Sequence, residues 1–135
     1  MAIETFVYMA PLVVGLTIGL IELFFVHADE SGMGWLGHGL HAIPVTIIFT
    51  FISFNVQWLM TFSWMAWMPG WAATYAIPVI IGIIAAVKVK GAAAIAKGGT
   101  VGEKMWHALV IGILIAAAPF VWPLFAASLP AFLQK

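Results

Sequence analysis

Residues 5–26 of this chain read TFVYMAPLVVGLTIGLIELFFV, an apolar run whose one acidic or basic side chain is Glu22. A helix needs about 20 mostly apolar residues to cross the hydrocarbon core of a bilayer, so this run is long enough. Backbone polar groups cannot stay unpaired in lipid, and the crossing segment must therefore be a helix or part of a closed barrel. Barrel strands alternate apolar and polar residues, whereas this run is apolar at nearly every position. We therefore predict a membrane-spanning helix.

Three further apolar runs follow. They extend from about Leu36 to Phe62, from about Trp71 to Val89, and from about Glu103 to Ser128. The connections between the runs are short, so successive helices are expected to be antiparallel neighbours. No repeat or shift in composition divides the chain. The predicted fold is an all-α membrane protein, with four transmembrane helices in an antiparallel bundle with short loops, and residues 1–135 form a single domain.

The composition agrees with a lipid environment. Of the 135 residues, 64% are hydrophobic and 7% are charged, which leaves too few polar groups to cover a soluble protein. The formal net charge is zero and arginine does not occur, so the basic face of a nucleic-acid-binding protein is missing. The chain has no cysteine, which excludes disulfides and thiolate metal sites. The first residues lack the basic region of a signal peptide, so the first run is predicted to be retained.

Small residues predict where the helices approach each other. Gly15 and Gly19 are four residues apart, a spacing that lets another backbone come close. Glu22 continues the same face, so we expect its carboxylate to point at a neighbouring helix and not at lipid. Similar contacts are predicted for Gly82, Ala85 and Ala86 in the third run and for Ala116 to Ala118 in the fourth.

Lysine predicts the orientation. Four lysines lie where the third run ends and the fourth begins, namely Lys88, Lys90, Lys97 and Lys104, and Lys135 lies at the other end. Cytoplasmic loops carry an excess of lysine and arginine. The prediction is a multi-pass protein whose lysine-bearing side is cytoplasmic, with both termini outside.

All four histidines and eight of the ten charged residues lie on this same side, which we call the rim. Glu22, His41 and His107 each lie about one turn inside a different run. Imidazole and carboxylate groups bind divalent metals such as zinc, iron and manganese. His38 precedes His41 by three residues and Glu103 precedes His107 by four, spacings that put each pair on one helical face. The sequence therefore predicts a metal site of Glu22, His41 and His107, with His38 and Glu103 as further candidate ligands.

Three alternatives remain open for the rim. His41 and His107 could be the axial ligands of one haem b, a cofactor that ranks below a divalent metal. Glu22 and His41 could relay protons or bind a cation, with a polar path continued by Thr50, Ser53, Asn55 and Gln57. Finally, Lys88, Lys90 and Lys104 could pair with Asp29, Glu30 and Glu103 in a solvated rim of no special function.

The leading functional prediction is a non-enzymatic subunit of a homo- or hetero-oligomeric membrane assembly. Four short-looped helices leave little mass outside the bilayer, and no catalytic triad, phosphate loop or nucleotide fingerprint occurs. The predicted partners are the lipid bilayer and further copies of the chain or other membrane subunits, and not nucleic acid. A proton or cation channel or transporter subunit is the runner-up.

Overall fold

The computed structural model describes residues 5–29, 34–65, 67–96 and 104–134. These parts of the chain contain five α-helices and no strand. The helices are α1 (Met9–Asp29), α2 (Trp35–Phe54), α3 (Val56–Leu59), α4 (Ile77–Ala96) and α5 (Met105–Ala126). Two 3₁₀ turns (Ser63–Met65 and Ala131–Leu133) and a π-helical turn (Ala72–Ala76) complete the described secondary structure.

Four helical stretches are long and apolar enough to cross a membrane. They are Met9–Asp29, Trp35–Phe54, Ala72–Gly91 and Met105–Ala126. The predicted all-α bundle with four transmembrane helices is thus confirmed, and the chain is a multi-pass membrane protein.

The helix ends differ from the predicted runs in three places. Residues 5–8 precede α1 and are not helical, and the second run is interrupted at Asn55, between α2 and α3. In the third run, the π-helical turn ends two residues before Pro78. Proline has no N–H to give to the carbonyl of Thr74, so regular α-helical bonding cannot continue across this point, and a local π turn re-satisfies backbone groups that a proline frees in a membrane helix.

Two glycine-mediated hairpins make up the bundle. In the first, α1 packs along α2. A Cβ atom added at Gly15 would lie 2.8 Å from the Cα atom of Ile47, and one added at Gly19 would lie 2.6 Å from the Oγ1 atom of Thr46. Both glycines therefore permit close backbone approach, as the sequence predicted.

In the second hairpin, α4 packs along α5 through Gly82 and Gly112. A Cβ atom at either glycine would fall on the carbonyl oxygen of the other, and the methyl groups of Ala86 and Ala116 close the contact on each side. The hairpins meet where α2 contacts α4 and α5 and where α1 contacts α5.

A hydroxyl group joins the two hairpins at a proline. Pro119 lies inside α5 and cannot donate an N–H to the carbonyl of Ile115, four residues earlier. The Oγ atom of Ser53 on α2 donates to that carbonyl oxygen at 3.1 Å. Ser53 thus supplies the hydrogen bond that the proline removes, which holds α2 against α5 in the interior.

Candidate functional site

Asp29 connects the end of α1 to the start of α5 at the rim. Its Oδ2 atom accepts a hydrogen bond from the backbone N–H of Lys104 at 2.9 Å, and its Oδ1 atom lies 2.9 Å from the Nζ atom of Lys104. The Nδ1 atom of His107 lies 2.5 Å from Oδ2. An ionised carboxylate only accepts, so His107 carries its hydrogen on Nδ1 in this arrangement. We call Asp29, Lys104 and His107 the clasp.

The clasp places a negative charge at the positive end of a helix dipole. Lys104 is the N-cap residue of α5, and its own side chain does not cap the helix. The carboxylate of Asp29, whose side chain is 2% exposed, takes that position from a different helix. His107 is held in place by its neighbours, because Phe25 stacks on its ring at 4.2 Å and Trp106 lies 3.7 Å from it between ring centroids.

A histidine pair joins the end of α1 to the start of α2. The Nδ1 atoms of His27 and His38 are 3.1 Å apart, and Trp35 stacks on His27 at a centroid distance of 3.7 Å. One nitrogen must donate and the other accept, so the contact holds a single hydrogen between the rings. His27 is half-buried and His38 is buried, so the pair leads from the surface into the bundle.

Glu22 lies deeper, on the buried face of α1, where it is 3% exposed. It precedes Asp29 by two turns, or about 10 Å of helix. Gly19 packs against Ile43 and His27 contacts His38, so Glu22 lies between these two contacts, opposite the first turns of α2. The sequence-based expectation that Glu22 points inward is confirmed.

The predicted metal ligands differ in where they lie relative to the interior of the bundle. Glu22, His38 and His107 are buried, whereas His41 is exposed, and Glu103 lies outside the described residues. His38 and His41 differ in burial, because the buried stripe of α2 runs from His38 to Ala42 and leaves His41 on the exposed side of the helix.

This arrangement does not support a metal or a haem. Within the described parts of the chain, no three His, Asp or Glu side chains are grouped so as to hold a metal ion. A haem between His41 and His107 would need both rings inside the bundle, and His41 is exposed. Both cofactors stay predictions from the sequence.

Polar side chains continue along the buried face of α2. Thr46, Thr50 and Ser53 follow His38, and the two threonines have no exposed surface. The Oγ1 atom of Thr46 lies 3.1 Å from the carbonyl oxygen of Gly15 on α1 and 2.9 Å from that of Ile43, while Thr50 donates to the carbonyl of Thr46 at 2.7 Å. We call His38, Thr46, Thr50 and Ser53 the polar line.

The polar line ends at a recess on the side opposite the rim. This recess has a volume of about 160 Å³, and Ser53, Gln57, Thr74, Pro78 and Pro119 are among its lining residues. The Nε2 atom of Gln57 donates to the Oγ1 atom of Thr74 at 3.0 Å. The volume and the polar groups suit several water molecules. We call it the far recess.

Asn55 lies beside this end but serves a different purpose. Its Oδ1 atom accepts from the N–H of Val7 at 2.7 Å, and its Nδ2 atom donates to the carbonyl of Val7 at 2.8 Å and to that of Phe51 at 2.9 Å. The side-chain amide thus holds the non-helical segment before α1. Asn55 was predicted as part of a transport path, but these bonds give it a structural role.

Asp29 is the site residue whose role the sequence reasoning missed. The pairing of Asp29 with a rim lysine was anticipated and is confirmed for Lys104, but the burial of the carboxylate and its contact with His107 were not. A signal was present, since an acidic residue at the C-terminal end of its own helix is disfavoured by the dipole. Such a residue is better placed at the start of another helix.

No family model, curated protein or solved structure matches this chain.

Proposed function

We propose that the protein is a non-enzymatic membrane subunit that transfers protons along the buried face of α2. The observation that carries the proposal is the burial of Glu22 and His38, which are 3% and 1% exposed, at the rim end of the polar line. Ionisable groups inside a membrane span are costly and are functional candidates by default. Histidine also exchanges protons near neutral pH, so this position suits proton uptake.

The histidine pair supports entry from the rim. His27 is half-buried and shares a single hydrogen with buried His38, so a proton arriving at one ring can be passed to the other. The clasp of Asp29, Lys104 and His107 is held by several hydrogen bonds. These bonds suit a fixed link between helices better than a group that carries protons. In this proposal the clasp keeps α1 and α5 together while the pair handles the proton.

The centre of the path is a layer of buried hydroxyl groups. Thr46 and Thr50 are one turn apart, about 6 Å along the helix, which is too far for a direct hydrogen bond between equivalent atoms. Each hydroxyl donates to a backbone carbonyl and keeps lone pairs that can accept. Transfer through this layer requires transient water between Glu22 and the far recess.

Proton flux into liposomes tests the proposal. Purified protein would be reconstituted with a pH-sensitive dye inside, and flux would be driven by a potassium diffusion potential. We expect Glu22→Gln to reduce flux to the level of protein-free vesicles, because the amide keeps the shape of the carboxyl group but cannot release a proton at neutral pH. His41→Gln is the matched control on the same rim, and its flux should equal that of wild type.

A second pair of variants tests the hydroxyl layer. Thr50→Val removes a buried hydroxyl, and Thr17→Val removes an exposed one that is bonded in the same way, to the carbonyl four residues earlier. Slower flux in Thr50→Val alone would support the path. Equal flux in wild type, Glu22→Gln and protein-free vesicles would reject proton transfer.

A purely structural subunit of an oligomeric membrane assembly is the second candidate. The observation that favours it is that polar side chains of the α2 region hold the fold together: Thr46 bonds to Gly15 on α1, Ser53 to Ile115 on α5, and Asn55 to Val7 in the non-helical segment before α1. Native mass spectrometry from nanodiscs would show a defined oligomer or a stable complex with another subunit. This result, combined with an absence of proton flux, would favour the structural role.

A further inference from the structure

The outer side of the α4–α5 hairpin carries a continuous apolar groove. It consists of two adjoining recesses of about 370 Å³ each, which share Ile83, Ala86 and Leu109. The two contacting glycines, Gly82 and Gly112, line one of these recesses. We call these two recesses the lipid groove.

The length of the groove indicates what can fill it. One end lies at Val79 and Phe120, and the other at Lys90 and Met105. Along α4 this distance is eleven residues, or about 16 Å. It corresponds to about half of the ~30 Å hydrocarbon core, which is the depth of one leaflet. A partner helix would cross both leaflets, whereas a lipid tail fills one.

A positive charge lies at the rim end of the groove. Lys90 is half-buried and its side chain lines the groove, while the neighbouring Lys88 is exposed and does not. A lysine at this level lays its aliphatic stem on the apolar surface and extends its ammonium group to the headgroup region. Among the described residues, no carboxylate forms an ion pair with Lys90.

We propose that the lipid groove binds an acyl tail of an anionic phospholipid whose phosphate contacts the ammonium group of Lys90. The apolar walls accept the tail, and the lysine selects the charge of the headgroup. Basic pockets between membrane helices are known binding places for anionic headgroups. This inference is independent of proton transfer, because neither Glu22 nor the polar line takes part.

Native mass spectrometry of delipidated protein tests the headgroup. Dioleoyl phosphatidylglycerol and dioleoyl phosphatidylcholine have the same tails and would be titrated in parallel. We expect wild type to retain one phosphatidylglycerol, and Lys90→Gln to bind it about fivefold more weakly, the effect of one lysine at an anionic surface. Lys88→Gln is the matched control and should bind as wild type does. Equal binding of both lipids, or equal loss in the two variants, would overturn the proposal.

A second pair of variants tests the groove itself. Leu109→Trp places a large ring where the two recesses meet, and Ile84→Trp adds the same ring on an exposed part of α4 outside the groove. We expect only Leu109→Trp to lose the bound lipid. Retention of lipid by Leu109→Trp, or a dimer that persists at saturating lipid and is blocked by Leu109→Trp, would show that the groove is not a lipid site.

Discussion

Asp29 shows how one side chain can serve two helices. It lies at the end of α1, where its charge opposes the dipole of that helix, yet it accepts the N–H of Lys104 and contacts His107 at the start of α5. The charge is therefore favourable only when the two helix ends lie together. In this way a single carboxylate helps to define which helix ends meet at the rim.

Replacing Asp29 tests this role at the scale of one residue. We expect Asp29→Asn to lower the free energy of unfolding by about 1.5–3 kcal/mol, because the bonds to His107 and Lys104 lose their charged acceptor. Lys104→Gln should cost less than about 1 kcal/mol, since the ammonium group is exposed and its backbone N–H bond remains. Unfolding in mixed detergent micelles, followed by circular dichroism, gives both values. Equal losses would show that the exposed ion pair, and not the buried contact, matters.

The sequence predicts some buried residues better than others. Glu22 follows Gly19 by three residues, so the helical period alone places it beside the α1–α2 contact. The helical period could not decide in the same way which of His38 and His41 is buried, because either position is compatible with the buried face of α2. Only the packing of α2 on α1, through Thr46 and Ile43, decides that His38 lies inside.

At the scale of elements, close glycine contacts determine the spacing of the helices. Gly112 leaves no room for a methyl group, because a Cβ atom would fall on the carbonyl oxygen of Gly82. We expect Gly112→Ala to destabilise the bundle by about 1–3 kcal/mol through overpacking. Gly91→Ala on α4 is the control, since no atom lies within 4 Å of its added methyl group. The stability of Gly91→Ala should equal or exceed that of wild type, because alanine favours the helix. Similar losses of unfolding free energy in Gly112→Ala and Gly91→Ala would contradict the close contact between Gly82 and Gly112.

The link between Ser53 and Pro119 predicts coupling between two elements. In wild type, Ser53→Ala should lower the free energy of unfolding by about 0.5–1.5 kcal/mol, because the carbonyl of Ile115 loses its donor. In a Pro119→Ala background the same change should lower the free energy of unfolding by less, since the N–H of the alanine that replaces the proline can bond to that carbonyl. A double-mutant cycle on unfolding free energies measures the difference. Strictly additive effects would show that the hydroxyl does not replace the bond lost at the proline.

The four spans were predictable because each apolar run is long enough to cross a bilayer, but the points where the helices become irregular were not. The break at Asn55 depends on Val7, 48 residues earlier. The hydrogen bond that compensates Pro119 comes from another helix. Such features arise from contacts between distant residues, which the periodicity of one segment cannot reveal.

At the scale of the whole molecule, the orientation in the membrane remains a prediction from the lysines. The chain has no cysteine, so each substitution introduces a single thiol. Gly34→Cys at the rim and Gly70→Cys at the opposite end both have open space around the added side chain. In intact cells, a membrane-impermeant maleimide should label Gly70→Cys, and Gly34→Cys only after permeabilisation. The reverse pattern would invert the orientation, and labelling of both in intact cells would indicate two populations.

The contact between Asn55 and Val7 has a consequence for the order of assembly during synthesis. Val7 leaves the ribosome 48 residues before Asn55, so the segment of residues 5–8 has no side-chain amide to bind while α1 alone is in the membrane. The hydrogen bonds between Val7 and Asn55 can form only when α2 has been made and its end has returned to the same side of the membrane. The N-terminal segment therefore closes last within the first hairpin, and its protection from proteases during translation would report that the hairpin is complete.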